Sequence, residues 1–285
     1  MTSWRELSLI GGGGEVLACS IAALAAPRGL AVVFPGWRYT ASMPLLARAA
    51  EVMLELGFDV LRVEYDYPAR GATLETAAGE QAVLAGVRGD AEAVMRAVES
   101  LGDYRALVLV GKSLGTHALA HLVSLGADAA LVWLTPPLAG LDASIAETQQ
   151  RSLVVIGTAD PHYDDALMAP LRARHRVLEI EDADHALEIA GDEAKTSAAH
   201  ATWLGALRAF VTGADCATCS RYFDGYGSGG DIFPDEAWRV VDAFEHPVGT
   251  HGGHIGMTGV GRCRGCGRRA SFTCSYGPGY TFTRE

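Results

Sequence analysis

From Leu30 to Val211 the chain alternates short, branched apolar runs with amphipathic stretches, and no other feature restricts its fold so strongly. Leu30–Phe34, Asp59–Tyr65, Ala106–Val110, Ala129–Leu134, Ser152–Gly157 and Arg176–Ile180 have strand length and are rich in branched residues. Between them, Ala41–Leu56, Glu75–Leu101, Leu114–Leu125, Leu141–Gln149 and Asp164–Arg172 read as helices, and Ala186–Val211 closes the series as another. In the first of these Leu45, Leu46, Ala49, Met53 and Leu54 recur on one face, and Gly57 stops the helix. Such alternation predicts an α/β domain with a mostly parallel sheet covered by helices on both faces. Two more strands, Trp4–Ile10 and Glu15–Ala22, precede it, joined by a glycine turn at Gly11–Gly14.

The composition changes near Thr212–Asp215. Glycine supplies 14 of the last 70 residues, and one helix, near Pro234–Phe244 with Trp238, Val241 and Phe244 on one side, is the regular structure expected there. This predicts a domain over 1–213 and a small Gly/Cys-rich module over 214–285. Residues 1–215 carry 16 Lys/Arg against 27 Asp/Glu, while the remainder carries 7 of each. An acidic main domain repels polyanions, which argues against nucleic acid as its partner. No apolar run approaches the ~20 residues needed to span a bilayer, and the start lacks the long apolar core of a signal peptide. The expected location is the cytoplasm, with no membrane partner.

Gly111-Lys112-Ser113-Leu114-Gly115 fits G-x-S-x-G, directly after the strand Ala106–Val110 and directly before a helix. Small residues on both sides of the serine permit a sharp turn that holds its hydroxyl at the strand tip, while the helix N-terminus offers N–H groups to an oxyanion. A serine hydroxyl needs a base, and the base an orienting carboxylate, in the chain order Ser, Asp, His for this architecture. Asp160 follows the strand ending at Gly157, in a turn stiffened by Pro161. His185 follows the strand ending at Ile180. Ser113, Asp160 and His185 are therefore the expected catalytic residues. His117 and His121 run back along the helix and read as packing residues; Asp184 reads as ordering its loop, and Asp164 and Asp165 as first-turn residues. The expected oxyanion donors are the backbone N–H groups of Leu114 and Trp37, with Gly36 as the fallback. Tyr39, Tyr67 and Pro136 are the expected substrate-binding rim, together with Trp37.

With the elbow Gly-Lys-Ser-Leu-Gly, the turn Gly-Thr-Ala-Asp and the loop Asp-Ala-Asp-His, residues 1–211 resemble the α/β-hydrolase superfamily, in the style of its compact, dienelactone-hydrolase-like serine hydrolases. The resemblance implies an eight-stranded, largely parallel sheet and hydrolysis of an ester, thioester or amide through an acyl-enzyme, with no cofactor for catalysis. Two departures from the lipase branch stand out. The oxyanion loop is Pro-Gly-Trp rather than His-Gly-rich, and only 17 residues separate Leu134 from Ser152, leaving no room for a long cap.

Cys216-Ala-Thr-Cys219 and Cys263-Arg-Gly-Cys266 form a paired CxxC pattern with 43 residues between the pairs. Each pair presents two thiolates from one turn of backbone, so the two together predict a structural four-cysteine zinc site, closed to water and therefore not catalytic. Cys274, His251 or His254 is an alternative ligand. The module is expected either to cover the hydrolase site or to recruit a protein partner. The rival reading of the whole chain is an α/β-hydrolase-like scaffold whose zinc module binds a protein or nucleic acid, with Arg262, Arg264, Arg268 and Arg269 in its favour.

Overall fold

In the computed structural model the described residues are 3–104 and 106–213, together with 238–247, 255–263, 269–275 and 280–281 of the C-terminal part. The chain divides into two compact units, Met1–Arg208 and Ala209–Glu285.

The first unit is built on eight strands: β1 (Trp4–Ile10), β2 (Val16–Ala22), β3 (Gly29–Phe34), β4 (Phe58–Glu64), β5 (Leu107–Lys112), β6 (Ala130–Leu134), β7 (Ser152–Gly157) and β8 (Arg176–Ile180). They form one sheet in the order β1-β2-β4-β3-β5-β6-β7-β8. β1 pairs antiparallel with β2, and β2 with β4, whereas every pair from β4 through β8 is parallel. The helices are α1 (Pro44–Glu55), α2 (Ala77–Leu101), α3 (Leu114–Ser124), α4 (Asp142–Glu147), α5 (Asp165–Arg174) and α6 (Glu193–Thr212).

Because successive side chains of a strand point to opposite faces, the apolar strands feed two cores. Val32, Leu61, Leu109, Leu131 and Val154 pack with Val87 and Val94 of α2, Leu119 of α3, Ile145 of α4 and Leu171 of α5. Ala31, Val33, Val60, Val108, Val132 and Val155 are equally buried but face the other way. There α1 lies against β3 and β4 and is tied to α6 by an Arg208–Glu55 ion pair. This is the expected mostly parallel sheet with helices on both faces.

The β1–β2 turn is anchored by a buried carboxylate of α2. Asp90 accepts the N–H of Gly12 at 2.9 Å on one oxygen and the hydroxyl of Tyr67 at 2.7 Å on the other. Asp90→Ala would orphan both donors, so a loss of about 3 kcal/mol is expected in urea unfolding.

The last helix starts later than the apolar spacing suggests. Residues 181–192 instead form a compact loop, in which Asp184 Oδ1 accepts the N–H groups of Ala186 and Glu188, Ala183 bridges Ile189, and Gly191 takes a positive φ of 74°. Local hydrogen bonds from aspartate side chains compete with helix here, and α6 begins only after Asp192.

The second unit has a four-stranded antiparallel sheet, β12-β11-β10-β9, made of β9 (Trp238–Pro247), β10 (Ile255–Cys263), β11 (Arg269–Ser275) and β12 (Tyr280–Thr281). Over 238–244, the described part of the helix expected near Pro234–Phe244, the chain forms β9 instead. Its long ladder with β10, from Ile255↔Pro247 to Cys263↔Trp238, outweighs the helical spacing of Trp238, Val241 and Phe244, and a register shift at Val260/Gly261 absorbs one residue. Cys263 ends β10 and Cys274 lies in β11; Cys216, Cys219, Cys266, His251 and His254 lie outside the described residues.

Candidate active site

The chain order of the strands reverses around β3, whose neighbours are β4 and β5. The crevice beyond the carboxyl ends of β3 and β5 is therefore a topological switch point, where open α/β sheets bind ligands. Ser113 stands there, between β5 and α3, with φ 49° and ψ −114°. That backbone conformation is strained for a residue with a side chain and persists only where the surroundings enforce it. Two glycines make the turn possible. A Cβ on Gly111 would lie 2.6 Å from the carbonyl oxygen of Gly115, and one on Gly115 would lie 2.4 Å from that of Phe34. Ser113 is further held by its N–H, which donates to Leu134 O at 2.9 Å.

Asp160 occupies the turn after β7 and His185 the loop after β8. His185 Nδ1 donates to Asp160 Oδ2 at 2.7 Å, and the His162 N–H donates to Asp160 Oδ1 at 2.9 Å. The aspartate side chain is fully buried and the histidine 31% exposed. Burial alone pushes the Asp160 carboxyl up, but the hydrogen bonds from His185 and His162 outweigh it and hold the group below its usual range. The His162 ring meets His185 edge-on at 5.2 Å. Asp160, His162 and His185 offer donor atoms within 4.8 Å of one another, the one such group among the described residues. Both carboxylate oxygens are, however, already committed to the two N–H donors.

The loop after β3 closes into a tight turn. Gly36 N–H donates to Tyr39 O at 2.9 Å, and Tyr39 N–H donates to Gly36 O at 3.3 Å. Gly36 is therefore spent as a donor and the fallback assignment fails. The N–H groups of Trp37 and Leu114 carry no hydrogen bond among those of the described residues, so both stay available. The loop meets the elbow directly: a Cβ on Gly36 would lie 3.4 Å from Ser113 Cβ.

The expected rim is more committed than its sequence suggests. Tyr39 is half-buried and its hydroxyl accepts the Leu45 N–H at the start of α1, at 3.0 Å. Tyr67 is buried, bonded to Asp90 and packed against α2, which corrects its placement on the rim. Pro136 is buried too. In contrast, His121 packs as expected, bonding Glu92 of α2 at 2.8 Å, and burial next to Arg88 pushes His117 down to about 4.

Sequence reasoning passed over Lys112. Its side chain is 2% exposed; Nζ donates to Thr135 Oγ1 at 3.1 Å and to His185 O at 3.0 Å, and lies 4.5 Å from the centre of the Tyr39 ring. The signal was present in the motif itself, a lysine written between a buried strand and a buried helix. Burial pushes the ammonium down to about 8, against the fields of Asp160 and Asp184. Between about 8 and the ordinary 10.5 the unfolded chain holds a proton that the folded chain has lost, so this group makes stability rise with pH. Urea titrations of Lys112→Met should show that rise flattened relative to the natural protein.

No protein-family model and no curated protein matches this chain. Among solved structures, an α/β serine hydrolase without a lid from Xanthomonas campestris is 22% identical, with 73% of this chain and 93% of that one aligned and a TM-score of 0.54. A putative α/β hydrolase of unknown function from Agrobacterium tumefaciens is 16% identical over 78% of this chain and 98% of its own, with a TM-score of 0.58. A dienelactone hydrolase-like promiscuous phosphotriesterase from metagenomic libraries is 18% identical over 72% and 97%, with a TM-score of 0.54. The first unit thus has the α/β-hydrolase fold. Among the described residues no helix is long and apolar enough to cross a membrane.

Proposed function

We propose that the first unit is a serine hydrolase that cleaves an ester, thioester or amide of small size through an acyl-enzyme. The observation that carries the reading is a strained serine at a strand–helix elbow, on the same sheet edge as a buried Asp160–His185 pair. In this mechanism His185 takes the Ser113 proton as the hydroxyl attacks the acyl carbon. Asp160 holds His185 in the tautomer that leaves Nε2 free to accept, and stabilises the imidazolium. The N–H groups of Leu114 and Trp37 receive the oxyanion, His185 returns its proton to the leaving group, and water repeats the cycle. The connection between β6 and β7 holds only the short α4, which favours an open site and small or flexible acyl groups.

The test is covalent labelling. A fluorophosphonate should add once per chain, on the tryptic peptide containing Ser113, and Ser113→Ala should take up none; undiminished labelling of that variant would exclude the serine as nucleophile.

For the C-terminal module the reading is a structural zinc held by Cys216, Cys219, Cys263 and Cys266. Its support is the donor chemistry of paired CxxC thiolates, with the second pair falling where β10 ends and before β11 begins. When bound, zinc would supply a cross-link and no catalysis. Elemental analysis of the purified chain is expected to find about one zinc, reduced in Cys216→Ser.

A further inference from the structure

We propose that Lys112 is a positioning residue for the hydrolysis: its buried ammonium ties the histidine loop to the nucleophile elbow and so sets His185 against Ser113. The inference rests on the Ser113–His185–Asp160 reading and adds to it a charged tether.

The chain has 23 cationic side chains, of which 21 are arginine; Lys112 and Lys195 are its only lysines. One of the two stands inside the elbow and is wholly buried. Burying a charge is costly unless its hydrogen-bonding capacity is met. An ammonium has three N–H bonds, and here three partners surround it: the Thr135 hydroxyl, the His185 carbonyl and the face of Tyr39. Both hydrogen-bond acceptors are neutral, so the charge is held by dipoles and a ring rather than spent in an ion pair. A compact point charge suits this cage, whereas a planar guanidinium does not.

What the cage holds together is specific. The histidine loop is bound to the acid turn by several links: Ala159 N–H to Ala183 O, Asp182 N–H to Thr158 Oγ1, and His185 to Asp160. Between that loop, 181–192, and the elbow, 111–115, the Lys112–His185 bond is the only hydrogen bond among the described residues. The Asp–His half of the site is thus assembled independently, and beyond the sheet that carries both halves, its one direct hydrogen bond to the elbow is charge-assisted.

The titratable groups facing the ammonium come from three segments. Tyr39 lies on the loop after β3, its hydroxyl pushed up by burial and so neutral; Asp160 lies on the acid turn; Asp184 and His185 lie on the histidine loop. As the ammonium becomes an amine, near pH 8, its hydrogen bonds lose charge assistance and about half their strength. The reaction of Ser113 should decline over that interval.

The experiment follows fluorophosphonate labelling rates of the full chain between about pH 6 and 10, alongside NMR of protein labelled with 13C and 15N in lysine, where only two side chains report. The natural protein should show a decline in labelling with the midpoint of the Lys112 resonance. Lys112→Met should label on the order of 10- to 100-fold more slowly near pH 7, the usual cost of a small misplacement, and lack the alkaline decline. Lys195→Arg, at an exposed position, should match the natural protein. A Lys112→Met protein that keeps both rate and decline overturns the tether. If that variant does not fold, labelling of the natural protein that stays level through the Lys112 titration overturns it equally. Absence of labelling in the natural protein would instead refute the hydrolase reading. The tether would then be judged by the His185 ring resonances, which must move with the Lys112 titration for it to stand.

Discussion

Asp160→Asn is expected to lower turnover of a p-nitrophenyl ester about 10⁴-fold while leaving KM within a few-fold. The size of the effect follows from the second hydrogen bond on this carboxylate. The His162 N–H donates to Oδ1, so an asparagine here would keep its oxygen on that donor and turn its NH₂ toward His185. The imidazole would then have to accept at Nδ1 and carry its proton on Nε2, the atom that must take the serine proton. The fold would hardly notice, since the asparagine preserves shape, keeps the bond from His162 and only reverses the direction of the one to His185. Thermal unfolding should therefore remain close to that of the natural protein while kcat collapses, and a comparable loss in both would refute the assigned role of Asp160.

Gly115→Ala should strongly destabilise the first unit, and it does so at the nucleophile elbow itself. The added Cβ would sit 2.4 Å from Phe34 O and 2.7 Å from Pro35 O, both backbone atoms that cannot swing aside. Relieving that overlap means pushing α3 away from the loop after β3, at a cost of about 3 kcal/mol, which lowers Tm by about 10 °C in a domain of this size. The same displacement separates the N–H groups of Leu114 and Trp37, so labelling of Ser113 should fall even in molecules that remain folded. Gly205→Ala provides the contrast. It lies exposed on α6 with nothing within 4 Å of the new Cβ, and a gain of about 0.5–1 kcal/mol is expected from helix propensity. Equal behaviour of the two variants in a thermal melt would show that the close approach at the elbow is not a constraint.

The structure departs from the sequence expectations at three places, each for its own physical reason. In β9 the three-residue spacing of Trp238, Val241 and Phe244 suggests a helix, and only pairing with β10 decides otherwise. Tyr67 follows a strand that ends at the correct edge, which is what suggests a place on the rim. Its side chain turns back to Asp90, a residue 23 positions away, and no local pattern announces that bond. The start of α6 failed for a third reason: apolar spacing continues through residues 186–192, but Asp184 and Asp192 bind the backbone N–H groups that a helix would need.

Periodicity, strand length and turn glycines belong to consecutive residues, so the sequence by itself determined the order of strands and helices in the first unit, the elbow around Ser113 and the positions of Asp160 and His185 at the ends of their own strands. Which side chains then meet was decided only by the tertiary structure. The sheet order sets β7 and β8 beside each other so that Asp160 and His185 bond, and brings the Lys112 ammonium under the carbonyl of a residue 73 positions away. A buried charge takes whatever dipoles the fold puts within reach, and that choice is a property of three-dimensional packing, with no period along the chain to betray it.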